Sequence, residues 1–342
     1  MKTFFLLLAL LAGTLEFSAQ STSKIFEMIN KIHLPGDAGW DYLYSDDSSG
    51  RLYVSHGSMV QVVDEATGQL AGTISGMKGI HGIAIVSDLH RGYISCGRDT
   101  MVTVFDTQTF DVLAKIKVTG LNPDAIVYDS FSKKVFVFNG RSSSATVIDV
   151  TADEVVATIS LPGKPEFSVS DGKGNVFVNL EDVSNLCRIN SITLKVEQVW
   201  PLAPGEGPSG LAMDKENDLL FSVCDNKTMV VSDAKNGTVL TTEPIGGNVD
   251  GVAFDPVLKL VYSSNGEGTL SVIKEISKDN FKTVATIFTR KRAATIAVNA
   301  KTHHIYLPTA DFEPASGGNA NAQARPKIVV NSFTVLDLAP AK

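Results

Sequence analysis

Asp124-Ala-Ile-Val-Tyr128, Val135-Phe-Val-Phe138, Thr146-Val-Ile-Asp149 and Val155-Val-Ala-Thr-Ile159 follow one another in a single stretch of the chain. Each run is short, rich in β-branched and aromatic residues, and separated from the next by Gly, Asp, Asn, Ser or Lys. Branched and aromatic side chains suit a pleated, half-buried surface, and the intervening residues tolerate tight bends, so the stretch reads as four strands joined by polar turns. Beyond the first twenty residues, no segment carries apolar residues at helical spacing for a useful length.

The same unit recurs along the chain. Its second strand keeps an aromatic residue at the centre, and Tyr53, Tyr93, Phe136, Phe177, Phe221, Tyr262 and Tyr306 lie 40 to 44 residues apart. The third strand ends in Asp or Asn, as at Asp64, Asp106, Asp149, Asn190, Asp233 and Asp337. Four short strands at this period, repeated seven times, specify an all-β, seven-bladed β-propeller with four antiparallel strands per blade. The last unit stops at Phe333-Thr-Val-Leu-Asp337, its third strand. Phe26-Glu-Met-Ile-Asn-Lys-Ile-His-Leu34 has the pattern of the fourth strand Phe110-Asp-Val-Leu-Ala-Lys-Ile-Lys-Val118. Residues 24–34 are therefore expected to complete blade 7, which makes 24–338 one propeller domain with no open sheet edge at the seam.

These units resemble the YVTN-repeat, YncE-like family of propellers. The resemblance rests on Val135-Phe-Val-Phe-Asn-Gly140, Thr146-Val-Ile-Asp149, Val155-Val-Ala-Thr-Ile159, Asn248-Val-Asp-Gly-Val-Ala-Phe-Asp-Pro256 and Leu260-Val-Tyr-Ser-Ser-Asn-Gly266, and extends over nearly the whole chain after the N-terminal segment. It implies an exported or periplasmic protein. Its motifs are mostly strand and turn residues, so they specify a fold and not an activity.

The N-terminus agrees with export. Lys2 precedes a continuous apolar run from Phe4 to Leu11, too short for a bilayer span of about 20 residues but of the length of a signal-peptide core. Residues 1–20 are read as a signal peptide cut near Ala19 to Ser21, leaving a periplasmic or secreted protein, expected to be monomeric. The formal charge of −7 argues against a general nucleic-acid binder. Three cysteines, Cys96, Cys187 and Cys224, fall in loops or strands of blades set apart around the ring and are expected to be free thiols.

Alignment of the blades on the central aromatic locates a candidate site. Twelve residues before it stand Asp41, His81, Asp124, Ser209, Asp250 and Ala294, with Glu166 taking the place in the shorter blade 4. This position begins each inner strand, so four carboxylates and one histidine form a ring at the tunnel mouth. Such residues can simply bond loop N–H groups. They can also bind a cation, because converging carboxylates repel one another. Asp41, Asp124, Glu166 and Asp250 are the candidate ligands of a divalent ion, and His81 or His56, the latter in a loop of the same face, the candidate acid or base. Arg98 and Arg141 occupy matching loops of blades 2 and 3, where they can bind an anionic group or sit as surface residues beside acids. His303 and His304 are adjacent rather than alternate and belong to a turn on the opposite face. A long segment at 309–327, rich in Ala, Gly, Asn and Pro, is expected as a loop beside the mouth.

Several chemistries lack their motifs. Gly205-Glu-Gly-Pro-Ser-Gly210 runs into Pro208 and an apolar strand, not a helix, so no nicotinamide cofactor is expected. C-x-x-C-H is absent, so no covalent haem c is expected. G-x-S-x-G and H-E-x-x-H are also missing. The reading that results is an exported scaffold binding a small molecule or protein at its top face. A metal-assisted lactonase or lyase at the tunnel mouth is the alternative.

Overall fold

The computed structural model describes residues 25–36, 38–313 and 327–341. Its strands form seven four-stranded antiparallel sheets. Blade 1 runs from the inner strand Trp40–Asp46 to the outer strand Gln69–Ile74. The inner strands of blades 2 to 7 are Ile80–Val86, Pro123–Asp129, Pro165–Ser170, Pro208–Asp214, Val249–Asp255 and Ala297–Asn299. Each inner strand touches the inner strands of both neighbouring blades, and blade 7 meets blade 1, so the ring is closed. The only helical elements among the described residues are two single turns, Ser87–Leu89 and Glu181–Val183.

Phe26–His33 is the outer strand of blade 7. It pairs antiparallel with Thr334–Pro340, from Phe26 opposite Pro340 to His33 opposite Thr334. Its apolar residues explain the fit: Phe26 packs edge-on against Tyr262 with ring centroids 5.6 Å apart, and Ile32 and Leu34 enter the seam core with Leu52, Val54, Tyr306 and Val335. Thr334 Oγ1 and His33 Nδ1 share a hydrogen bond of 2.8 Å at the end of the pairing.

The seven central aromatics are all buried to 1% exposure or less. They lie between sheets, as where Phe136 and Phe138 of blade 3 pack with Val176 and Val178 of blade 4. Asp64, Asp106 and Asp149 act as turn caps. Asp64 Oδ1 accepts from the Thr67 N–H and hydroxyl at 2.9 and 2.8 Å, Asp149 Oδ1 accepts likewise from Thr151, and Asp106 Oδ1 accepts from the Gln108 and Thr109 N–H groups. His303 and His304 lie on the opposite face, where each meets a buried acid. His303 Nδ1 is 2.7 Å from Asp255 of blade 6, and His304 Nδ1 is 2.9 Å from Asp337 of its own blade.

Residues 1–20, read as a signal peptide, lie outside the described residues, as do 314–326 of the blade 7 loop. The described ends of that loop meet in a bridge between Phe312 and Ile328. The Glu313 N–H donates to the Lys327 carbonyl at 2.9 Å. No helix among the described residues is long and apolar enough to cross a membrane.

Candidate functional site

The inner strands of blades 1 to 6 share a defect in the same place. Their pairing to the second strand slips between Trp40 and Leu43, Ile80 and Ile83, Pro123 and Ile126, Pro165 and Ser168, Pro208 and Leu211, and Val249 and Gly251. Asp41, His81, Asp124, Glu166, Ser209 and Asp250 each sit inside this bulge. An extra unpaired residue bends a strand and re-aims its side chain, and here it turns the ring residues toward one another.

Hydroxyl groups hold the bulges in place. Ser55 Oγ accepts from the Asp41 N–H at 3.1 Å, and Ser95 Oγ accepts from the Gly82 N–H at 2.8 Å while donating to the Asp124 carbonyl of the next blade. Thr295 Oγ1 donates to the Asp41 carbonyl at 2.8 Å across the seam, and Ser209 Oγ donates to the Asp250 carbonyl at 2.9 Å. The backbone at the mouth is thus tied from blade to blade.

His81 is the centre of the tightest cluster. Its Nδ1 lies 2.6 Å from Asp41 Oδ2 and 3.5 Å from Asp124 Oδ1. One donor atom from each of Asp41, His81 and Asp124 falls within 4.8 Å of the others. The loop after the second strand of blade 2 closes over the imidazole: a Cβ at Gly97 would stand 2.7 Å from His81 Nε2, so only glycine permits this approach. Burial alone would favour the neutral imidazole, but the hydrogen bond to Asp41 and the charges of Asp124, Asp41 and Glu166 outweigh it and raise the His81 pKa.

The other acids respond to burial and to each other. Burial pushes Asp124 up to about 6, against the pull of His81 and with the help of Asp41. Burial pushes Glu166 up to about 7, although Lys164 Nζ lies 2.6 Å away. Lys164 also pairs with Glu181. Asp250 is raised well above the usual carboxylate range by burial, and then by the charges of Asp41, Glu166 and Asp124. Its one direct side-chain partner among the described residues is the Ser209 hydroxyl at 3.2 Å. The four carboxylates therefore act on one another, although only Asp41 and Asp124 share the compact cluster with His81. Glu166 and Asp250, expected as metal ligands, stand outside it.

Two arginines and one histidine fall elsewhere. Arg98 and Arg141 are exposed on the same face, and neither guanidinium makes an ion pair among the described residues. His56 does not reach the mouth. It is 1% exposed, stacked on Phe333 at 3.9 Å, with Nδ1 2.9 Å from Gln61 Oε1. It opposes Trp40 in the strand pairing, and its side chain enters the seam between blades 7 and 1. The expectation that His56 serves as an acid or base at the mouth is corrected by this packing.

The ring opens into a cavity of about 620 Å³ over blades 6, 7 and 1, lined by Trp40, Asp41, Asp250, Arg292, Phe312 and Ile328. Arg292 lies over the Phe312 ring at 5.5 Å, and Arg290 pairs with Asp311 at 2.8 Å. Below the ring the tunnel is crossed by Tyr42 of blade 1 and Phe167 of blade 4, edge to face with centroids 5.0 Å apart. Burial raises the Tyr42 pKa, and the charges of Asp250, Asp124, Asp41 and Glu166 add to it, so this phenol lies within the field of all four acids. Lys164, Tyr42, Phe167 and Phe312 were not marked by the repeat. Lys164 alone had a local signal, two residues before Glu166.

No protein-family model matches this chain, and no curated protein matches it. Among solved structures it is similar to a chain of Kuenenia stuttgartiensis hydrazine synthase, at 16% identity and a TM-score of 0.72, with 89% of this chain and 97% of that chain covered. It is also similar to U3-55K, at 9% identity and a TM-score of 0.76, with 92% and 98% covered. At these identities the likeness is one of fold, and the chain is a seven-bladed β-propeller with four antiparallel strands in each blade.

Proposed function

We propose that this chain is an exported propeller of the YVTN-repeat, YncE-like type whose tunnel mouth binds a small, positively charged ligand. The observation that carries the reading is the convergence of Asp41, Asp124, Glu166 and Asp250 on one mouth, where burial and mutual repulsion hold three of them above the usual carboxylate range. Ionised together they repel, and a cation entering the mouth relieves the repulsion. A divalent ion fits Asp41, His81 and Asp124, provided His81 gives up the proton it shares with Asp41. An organic ammonium fits the wider cavity, where Trp40 stands beside Asp41 and Asp250, while Phe312 already carries the Arg292 guanidinium over its ring. Lys2 and the apolar run from Phe4 to Leu11 support export.

A metal-assisted lactonase or lyase is the second reading. Glu166 at about 7 and Asp124 at about 6 favour it, because groups that titrate near neutrality suit proton transfer. A raised His81 is better placed to donate a proton than to accept one.

Melting curves test the binding reading. Calcium, zinc, manganese and tetramethylammonium are each added to the full chain. At least one is expected to raise the melting temperature by mass action on the folded state. Asp124→Asn combined with Asp250→Asn is expected to remove that shift. If none of the four cations moves the transition, the mouth is a solvated polar ring and the reading fails.

A further inference from the structure

Tyr42 and Phe167 divide the tunnel, and the half below them is unlike the acidic mouth. It is a chamber of about 400 Å³ built from the ends of the inner strands of blades 1 to 6 that lead to the opposite face. Its wall is aliphatic and aromatic, with Tyr44, Tyr128, Met213 and Phe254 joining the floor pair Tyr42 and Phe167. The volume is that of a site for one small organic molecule.

One polar group in this wall lacks a protein partner. Lys215 follows the inner strand of blade 5 at the chamber's rim, and no ion pair or hydrogen bond engages its ammonium among the described residues. Lys215 is an exposed residue, yet desolvation of its ammonium by the surrounding wall outweighs the Asp171 and Asp129 charges and lowers its pKa. Those two acids are engaged elsewhere: Asp129 by Ser132 and Ser170, and Asp171 by Lys173 and Asn175. Among the described residues, Lys215 is the one cationic side chain that lines the chamber.

We propose that the lower chamber is a second binding site, for a small, largely apolar and aromatic molecule carrying one anionic group, with the apolar body among Tyr44, Tyr128, Met213 and Phe254 and the anion on Lys215. The occupant is opposite in charge to the ligand proposed for the mouth. The site therefore stands or falls independently of that reading.

Two naphthalene dyes test it on the full chain. Anilinonaphthalene sulfonate carries the anion; N-phenyl-1-naphthylamine has a similar body without it. Both are expected to bind saturably, one per chain, with enhanced fluorescence. Lys215→Met is expected to weaken the sulfonate about tenfold, the loss of one charged contact, and to leave the neutral dye nearly unchanged. Val127→Trp, which fills the chamber, is expected to abolish both. A melting curve establishes that each variant is folded, and Lys215→Met carries the test alone if the tryptophan variant is not. Phe288→Ser, in an outer groove where Phe288 is 84% exposed, is expected to change neither dye. Absence of saturable binding, equal weakening of both dyes by Lys215→Met, or loss of binding through Phe288→Ser would overturn the proposal.

Discussion

The ring residues set the sign of a pH dependence. Asp124, Glu166 and Asp250 hold their protons in the folded protein to higher pH than free carboxyls do. As pH rises from about 4 the unfolded chain ionises first, so these groups withdraw stability through about 6 and 7, where Asp124 and Glu166 lose their protons. His81 works in the same direction: its raised pKa gives stability that is complete below about 6.5 and is lost as pH rises through its folded value. The melting temperature of the metal-free protein is therefore expected to fall between pH 5 and 8, and the triple variant Asp124→Asn, Glu166→Gln, Asp250→Asn to flatten that fall. Asp250→Asn alone is expected to raise it by roughly 2 °C at pH 7, as for a gain of about 1 kcal/mol. A decline as steep in the triple variant as in the native chain would place the titrating groups elsewhere. Residue counting found this ring because the repeat fixes where each inner strand begins. It missed the bulge, which is a slip in pairing that composition does not encode, and it misassigned His56, since position in a loop does not say which side of the sheet the side chain enters.

Among the elements, two contacts carry separable predictions. Deleting residues 24–34 removes Phe26, Ile32 and Leu34 from buried sites. At about 1.5–3 kcal/mol for each apolar side chain, the loss is of order 5–9 kcal/mol, comparable to the whole stability of a typical domain. The truncated chain is expected to be unfolded or to melt at least 10 °C lower by calorimetry, whereas an unchanged transition would mean that the ring closes without this strand. His303 ties blade 7 to the buried Asp255 of blade 6. His303→Ala leaves that carboxylate, among the described residues, with only the Val257 and Leu258 N–H groups as direct donors. It is expected to cost about 1–3 kcal/mol in denaturant unfolding. The closing strand was legible because its pattern repeats that of blade 2. The histidine pair was legible only as a turn, because its acid partners lie 48 and 33 residues away.

At the scale of the whole molecule, the repeat encodes the architecture and little of what lies along the axis. The seven aromatics had to be buried for the sheets to pack, so their period reveals the blades. The Tyr42–Phe167 pair that splits the tunnel joins blades three apart, and no local pattern links residues 125 positions apart. The cysteines follow the architecture: all three are buried and free, with burial raising the thiols to about 11 for Cys96 and about 12 for Cys187 and Cys224. A thiol reagent is expected to titrate none of them in the native protein at pH 8 and three after unfolding without reductant. Fewer than three would contradict the blade assignment.

The pairing of Phe26–His33 with Thr334–Pro340 also dictates an order of events. Among the described residues, Phe26–His33 has no hydrogen-bonded strand partner until Thr334–Pro340 has been made, so blade 7 stays incomplete until then. Drawing these two strands together across some 300 residues is the most distant pairing among the described residues, and loops of that span make folding slow. Until the clasp shuts, the edge of Thr334–Pro340 is open, and at high concentration the N-terminal strand of a second copy can occupy it as well as the chain's own. The same joint that completes the circle is thus the place where two circles can become linked.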